Sequence, residues 1–302
     1  PRSDWPITTH RQWITKVPQP VGAAVRPVVS FSPNWTPIFP RESVTLSCNV
    51  APTAQGNLGY SWYRDGHRIP RDQQNLVIQS RTWSDIQSYR GDYQCQAGAS
   101  ERSDPVRLDI KSIISDLLIM QAPPAVHEGD SLSLRCHTWP GYYYTRNPVF
   151  YKDNEAIGAP VSGSELHIGR VNVSASGTYS CEKISTVRKP KQSTGLAVMS
   201  NITELFPYPQ IQVSPDQVTE GDHMTMRCDT KLRLHRETTE LQFAFYRNGT
   251  MVQEFSSSYE YRVLSVAPKD SGNYTCEVQT PTGSVRKGSR VEHIQILGKQ
   301  ES

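Results

Sequence analysis

The chain has 302 residues, with 32 basic and 29 acidic side chains and a formal net charge of +3 at pH 7. Length alone suggests about two domains, and so small a basic surplus does not make nucleic acid the expected partner. Six cysteines together with Asn-x-Ser/Thr sequons at Asn34, Asn172, Asn201, Asn248 and Asn273 read as secreted or ectodomain material.

Residues 1–27 carry Pro1, Pro6, Pro18, Pro20 and Pro27 and no alternating apolar pattern, so they are expected to form an extended, flexible leader. Trp5 and Trp13 in that leader have no physical account. From Val28 the pattern changes to short alternating runs. In Val44-Thr45-Leu46-Ser47-Cys48 every second residue is apolar, as a half-buried strand requires. Leu132 to Cys136 and Met224 to Cys228 repeat that period.

Each of these strands opens a longer repeat. Cys48 is followed by Trp62-Tyr63-Arg64 and then Gly91-Asp92-Tyr93-Gln94-Cys95. Cys136 is followed by Phe150-Tyr151-Lys152 and Gly177-Thr178-Tyr179-Ser180-Cys181, and Cys228 by Phe245-Tyr246-Arg247 and Gly272-Asn273-Tyr274-Thr275-Cys276. Three copies imply three domains rather than two. Spacing within each copy selects the pairs Cys48–Cys95, Cys136–Cys181 and Cys228–Cys276. Loops of this length make each bridge worth about 4 kcal/mol on a chain-entropy view.

The pattern is that of an all-β chain of three tandem immunoglobulin-like sandwiches. In that fold, cysteines on strands B and F bridge two sheets, an aromatic on strand C packs on the bridge, and a tyrosine two residues before the second cysteine makes a corner. Trp62, Phe150 and Phe245 take the aromatic position, and Tyr93, Tyr179 and Tyr274 the corner. The stretch from each strand C aromatic to the second cysteine is too short for two extra strands. Constant-type or C2-type sandwiches are therefore expected. The domains read as 28–111, 112–199 and 200–298, with a tail at 299–302. Both junctions lack Gly/Ser spacers, so the interdomain angles should be restricted. Neither a signal peptide nor an apolar run of about 20 residues is present, so the expected form is a mature secreted protein or an ectodomain.

Over residues 28–298 the chain resembles leukocyte Fc receptors and their Fc-receptor-like relatives. Asn34-Trp35-Thr36-Pro37-Ile38-Phe39 and Ser103-Asp104-Pro105-Val106 resemble the family's first domain. Leu117-Leu118-Ile119-Met120-Gln121-Ala122-Pro123 and Cys136-His137-Thr138-Trp139 resemble its second, and Glu204-Leu205-Phe206-Pro207 its third. The Cys-His-Thr-Trp string is the most specific. The resemblance implies a cell-surface immune receptor that binds a protein ligand such as immunoglobulin Fc. A signalling subunit is a candidate partner for a membrane-anchored form. In immunoglobulin-binding members, two tryptophans of the second domain grip an Fc proline. Trp139 matches one of them; Asp116 occupies the position of the other, a departure that removes an aromatic wall.

Trp139 leads into Tyr142, Tyr143, Tyr144 and Arg146, residue types favoured at recognition surfaces, although packing on the first domain is the plainer role. Lys183 and Arg188 lie in the loop expected beside them and would form a cationic rim. The expected ligand site is therefore Asp116, Trp139, Tyr142, Tyr143, Tyr144, Arg146, Lys183 and Arg188. The alternative is an adhesive or structural module that binds other cell-surface proteins. Arg90-Gly91-Asp92 spells an integrin tripeptide but overlaps the corner turn, and a structural role is expected. The basic runs at 188–191 and 231–236 read as solvated faces. The eight histidines lack metal-ligand spacing, and no phosphate loop or nucleophile elbow is present. No cofactor, metal or enzymatic activity is expected.

Overall fold

The computed structural model describes residues 26–50, 58–79, 85–111, 117–141, 147–159, 163–185, 191–194, 198–232 and 240–298. The leader at 1–25 lies outside them. Strand Ser43–Asn49 shows how the alternation builds the fold: Val44, Leu46 and Cys48 are buried, and the residues between them face outward. It pairs with strand A (Val28–Ser32) on one side and strand E (Asn75–Gln79) on the other. The opposing sheet of the first domain runs C′ (His67–Ile69), C (Tyr60–Arg64), F (Gly91–Ala97), G (Val106–Leu108).

The other domains repeat this plan. In the second, Leu118–Gln121, Ser131–Thr138 and Glu165–Arg170 face Glu155–Gly158, Val149–Lys152, Gly177–Ser185 and Lys191–Thr194. In the third, Gln210–Ser214, Met224–Asp229 and Glu260–Val263 face Thr250–Ser256, Gln242–Arg247, Gly272–Gln279 and Arg286–Gly288. In every copy the strand after C pairs with C and not with E. That selects the C2 arrangement over the constant-type alternative. A short parallel pairing closes each sandwich: Ile38 with Ile110, Val126–His127 with Ile202–Thr203, and Val218–Thr219 with Ile296–Leu297. Ile202 packs in the second core, so the last strand of that domain runs past the break expected at 199/200.

The disulfides are Cys48–Cys95, Cys136–Cys181 and Cys228–Cys276. Each lies in its own apolar cluster with the strand C aromatic, Trp62, Phe150 or Phe245, fully buried against it. The corner tyrosines donate to a carbonyl four residues upstream: Tyr93 to Tyr89 at 2.7 Å, Tyr179 to Ala175 at 2.5 Å and Tyr274 to Asp270 at 2.6 Å.

The glycine of Gly-x-Tyr-x-Cys has a physical cause. Asp65, Asp153 and Asn248 sit in the turn after strand C with positive φ, and each side chain accepts the N–H of the residue after the glycine at 2.8–2.9 Å. A Cβ on Gly91, Gly177 or Gly272 would lie 2.6–2.7 Å from that side chain, so only glycine fits beneath it. The Arg90-Gly91-Asp92 triplet is thereby held in the framework. Arg90 is paired with Asp109 at 3.0 Å, and Asp92 with Arg107 at 3.5 Å.

Candidate functional site at the first interdomain junction

The segment that leaves strand A of the first domain docks on the start of the second. Thr36 and Ala122 exchange two backbone hydrogen bonds, at 2.9 and 3.1 Å. The buried Gln121 amide donates to the Pro37 carbonyl at 2.7 Å, so strand A of the second domain is stitched to the first at the end where it leaves its own sheet. Phe39 is fully buried here. Strand Ser131–Thr138 then brings up His137, with Trp139 just past its end. The Trp139 ring stands edge-on to Phe39, centroids 5.2 Å apart, and the His137 ring lies 5.4 Å from the same phenyl. Trp139 is also fixed through its backbone N–H, which donates to Leu117 at 2.8 Å.

A polar contact completes the junction. His137 Nε2 lies 2.5 Å from Glu42 Oε1, while Glu42 Oε2 accepts the Phe39 N–H at 2.8 Å. Burial alone would raise the Glu42 carboxyl. The hydrogen bond and charge of His137, the Phe39 N–H and the charge of Arg135 outweigh it and hold the group below the usual carboxylate range. The Cys-His-Thr-Trp string thus has a mechanical reading: the cysteine anchors the core, His137 takes the carboxylate of domain one, and Trp139 takes its phenyl.

Of the expected ligand residues, the structure places Trp139 and Lys183. Trp139 is half-buried against domain one. Lys183 lies half-buried on strand F, and burial, then the charge of Arg135, pushes its ammonium below the ordinary lysine range. Asp116, Tyr142, Tyr143, Tyr144, Arg146 and Arg188 lie outside the described residues. Phe39, Glu42 and His137 were not among the expected site residues, although Phe39 and His137 stand inside the strings that carry the family resemblance. All five sequon asparagines are exposed. Among the described residues no group of His, Cys, Asp and Glu could hold a metal ion, and no helix is long and apolar enough to cross a membrane.

The second junction is built differently. The Lys287 ammonium meets Glu128 at 2.8 Å, Glu204 at 3.1 Å and the Phe206 carbonyl at 2.6 Å, and Glu128 also accepts the Leu205 N–H at 3.3 Å. These are the residues of the Glu204-Leu205-Phe206-Pro207 string, so here too a family-like segment is a junction segment.

A family model described as immunoglobulin domain matches residues 26–110, 117–198 and 208–294. The chain belongs to the immunoglobulin-domain family. Fc receptor-like protein 5 of Mus musculus is 33% identical over 307 residues, covering 96% of this chain and 48% of the relative. Fc receptor-like protein 4 of Homo sapiens is 33% identical over 282 residues, covering 91% of the chain and 52% of the relative. Among solved structures, the second Ig-C2 domain of human Fc-receptor like A is 30% identical, with a TM-score of 0.27, and aligns with 30% of this chain and 99% of that one. The chain is of Fc receptor-like type, and it spans about half the length of these two curated relatives. Three disulfide-bonded domains of this type fit an extracellular setting.

Proposed function

We propose that this chain is the ligand-binding part of a cell-surface or secreted immune receptor, that it catalyses nothing, and that it takes a protein ligand, immunoglobulin Fc first among candidates, at the junction-proximal end of domain two. The observation that carries the reading is the clamp on Trp139. Phe39 and the Leu117 carbonyl hold an aromatic in place before any ligand arrives. Such preorganisation lowers the ordering cost of binding, and central Trp residues dominate many interfaces. Trp139 anchors the site, the Tyr142 to Arg146 loop extends it, and Lys183 with Arg188 supplies the cationic rim.

The test is a binding screen of the intact chain against purified immunoglobulin classes, with Trp139→Ala and Asp116→Trp beside it. Truncating Trp139 should cost about 2 kcal/mol, near thirtyfold in affinity. If an Fc is gripped between two aromatics, Asp116→Trp tightens it. If the ligand uses the carboxylate, the same change weakens it, most at low ionic strength. Unchanged affinity in both folded variants would move the site elsewhere.

A further inference from the structure

The same sheet face can be compared across the three domains, and the first departs from the other two. On the outward side of the C and F strands, the tyrosine after the core aromatic donates to the residue after the second cysteine. In domain two Tyr151 meets Glu182 at 3.0 Å, and in domain three Tyr246 meets Glu277 at 2.7 Å. Arg286 reaches the Tyr246 hydroxyl at 3.1 Å and is neutralised by Glu277. In domain one the partner of Tyr63 is the neutral Gln96, at 2.9 Å. Arg102 nevertheless lies over the Tyr63 ring, its guanidinium carbon 3.7 Å from the centroid, and among the described residues its further partner is the Gly66 carbonyl.

Two more arginines adjoin this pair. Arg68 lies opposite Tyr63 in the strand register, and its side-chain hydrogen bond among the described residues is to the Ser61 hydroxyl, at 3.4 Å. Arg71 shares a shallow hollow of about 480 Å³ with Arg68, Ile69, Pro70 and Asp72. Arg68, Arg71 and Arg102 are exposed and form no ion pair with the described residues; Arg41, elsewhere on the domain, also has none, whereas Arg26, Arg64, Arg90 and Arg107 do. The sequons add a second contrast. Domain three carries Asn248 and Asn273 at the turn where domain one has Asp65 and Asp92, and the one sequon of domain one, Asn34, lines the cleft against domain two.

We propose that this face of domain one, presented by the exposed Arg68 and Arg102 over the buried Tyr63 ring, is an interaction surface for an acidic protein partner, whose Asp or Glu side chains supply the carboxylate that the other two domains carry within the chain. Arginine beside tyrosine is a composition enriched at interface centres, and Ile69, Pro70 and the Asp72 carboxylate, which share the hollow with Arg68 and Arg71, suit a peptide chain better than a sulfated sugar. The proposal is independent of the ligand end of domain two.

The test uses the whole chain and an immobilised peptide with glutamates flanking a central tryptophan, read at low ionic strength. Binding should be present and should fall by about tenfold or more in the Arg68→Glu, Arg102→Glu double variant, since close charge pairs across interfaces couple at this level. Gln96→Glu, which writes into domain one the residue found in the other two, should weaken binding about threefold, as a single added like charge does near an interface. Charge reversal of the exposed Lys231 in domain three should change nothing. Thermal unfolding of each variant confirms that the fold is kept. Peptide binding that is absent, or indifferent to both domain-one changes, overturns the proposal. So does a heparin fragment that binds this face while the peptide does not, or self-association in sedimentation that the double variant abolishes.

Discussion

The two interdomain junctions solve one problem with opposite materials. At the first, a strand-like backbone pairing, a buried phenyl and a half-buried tryptophan do most of the joining, and the one ion pair among the described residues there, Glu42 with His137, keeps side-chain exposures of 28% and 14%. At the second, Lys287 is 5% and Glu128 9% exposed, so the joint is a charge taken out of water and answered there by two carboxylates and a carbonyl. Burying charge is expensive, and the pair returns that cost only with good geometry. The first junction should therefore tolerate polar substitution. The second should not tolerate losing half of its pair.

The largest expected effect follows directly. Lys287→Met leaves the Glu128 carboxylate buried without its cation, a situation that typically costs about 3–5 kcal/mol. Denaturant unfolding monitored at domain three should show it. Adding Glu128→Gln should recover much of the loss, because an uncharged pair carries no desolvation debt. A loss of under about 1 kcal/mol, the level of an exposed pair, would show the second junction to be hydrated and erase the contrast.

The first junction should fail through its apolar part. Phe39→Ala removes a fully buried ring and should cost about 3 kcal/mol. Trp139→Ala should cost less because that side chain is only half-buried. In a double-mutant cycle the two rings should couple by about 1 kcal/mol, the range for edge-on aromatic pairs. A coupling near zero would mean that Trp139 merely rests beside Phe39, and the clamp that supports the proposed ligand site would be lost.

The sequence made the sandwiches legible because their signals are local or rigidly spaced. Val44-Thr45-Leu46-Ser47-Cys48 shows its buried face by alternation, and Tyr93, Tyr179 and Tyr274 stand at fixed distance from their cysteines. The junctions were not legible, for a physical reason. Glu42 and His137 are far apart in the chain, as are Glu128 and Lys287, and no periodicity links residues that meet only after two domains have folded. The resemblance to Fc receptors marked the right segments, at Phe39, His137-Thr138-Trp139 and Glu204-Leu205-Phe206, without saying what they touch. The glycine two residues before each corner tyrosine stands in the sequence only as part of the corner turn. Its actual constraint is the Asp65, Asp153 or Asn248 side chain lying over it. All eight expected ligand residues stay proposals: Trp139 and Lys183 have a position in the structure but no shown role in binding, and Asp116, Tyr142, Tyr143, Tyr144, Arg146 and Arg188 fall outside the described residues.

The smallest effect separates the junctions by pH. The Glu42 carboxyl is held below its usual range in the folded chain, and an unfolded chain would return it to that range. A group with a depressed folded pKa binds protons more readily when unfolded. Its contribution to stability is therefore complete above the ordinary carboxylate range and disappears as pH falls through the folded value. The first junction should accordingly loosen on acidification, seen as lower protection factors (exchange corrected for the intrinsic pH dependence) at Thr36 and Ala122, whose N–H groups span the two domains. Glu42→Gln should flatten that dependence by removing the titrating group while keeping an acceptor for the Phe39 N–H. Should the acid-induced loosening persist undiminished in Glu42→Gln, the histidine–glutamate contact is not what holds the polar side of this junction, and Phe39 with Trp139 must hold it alone.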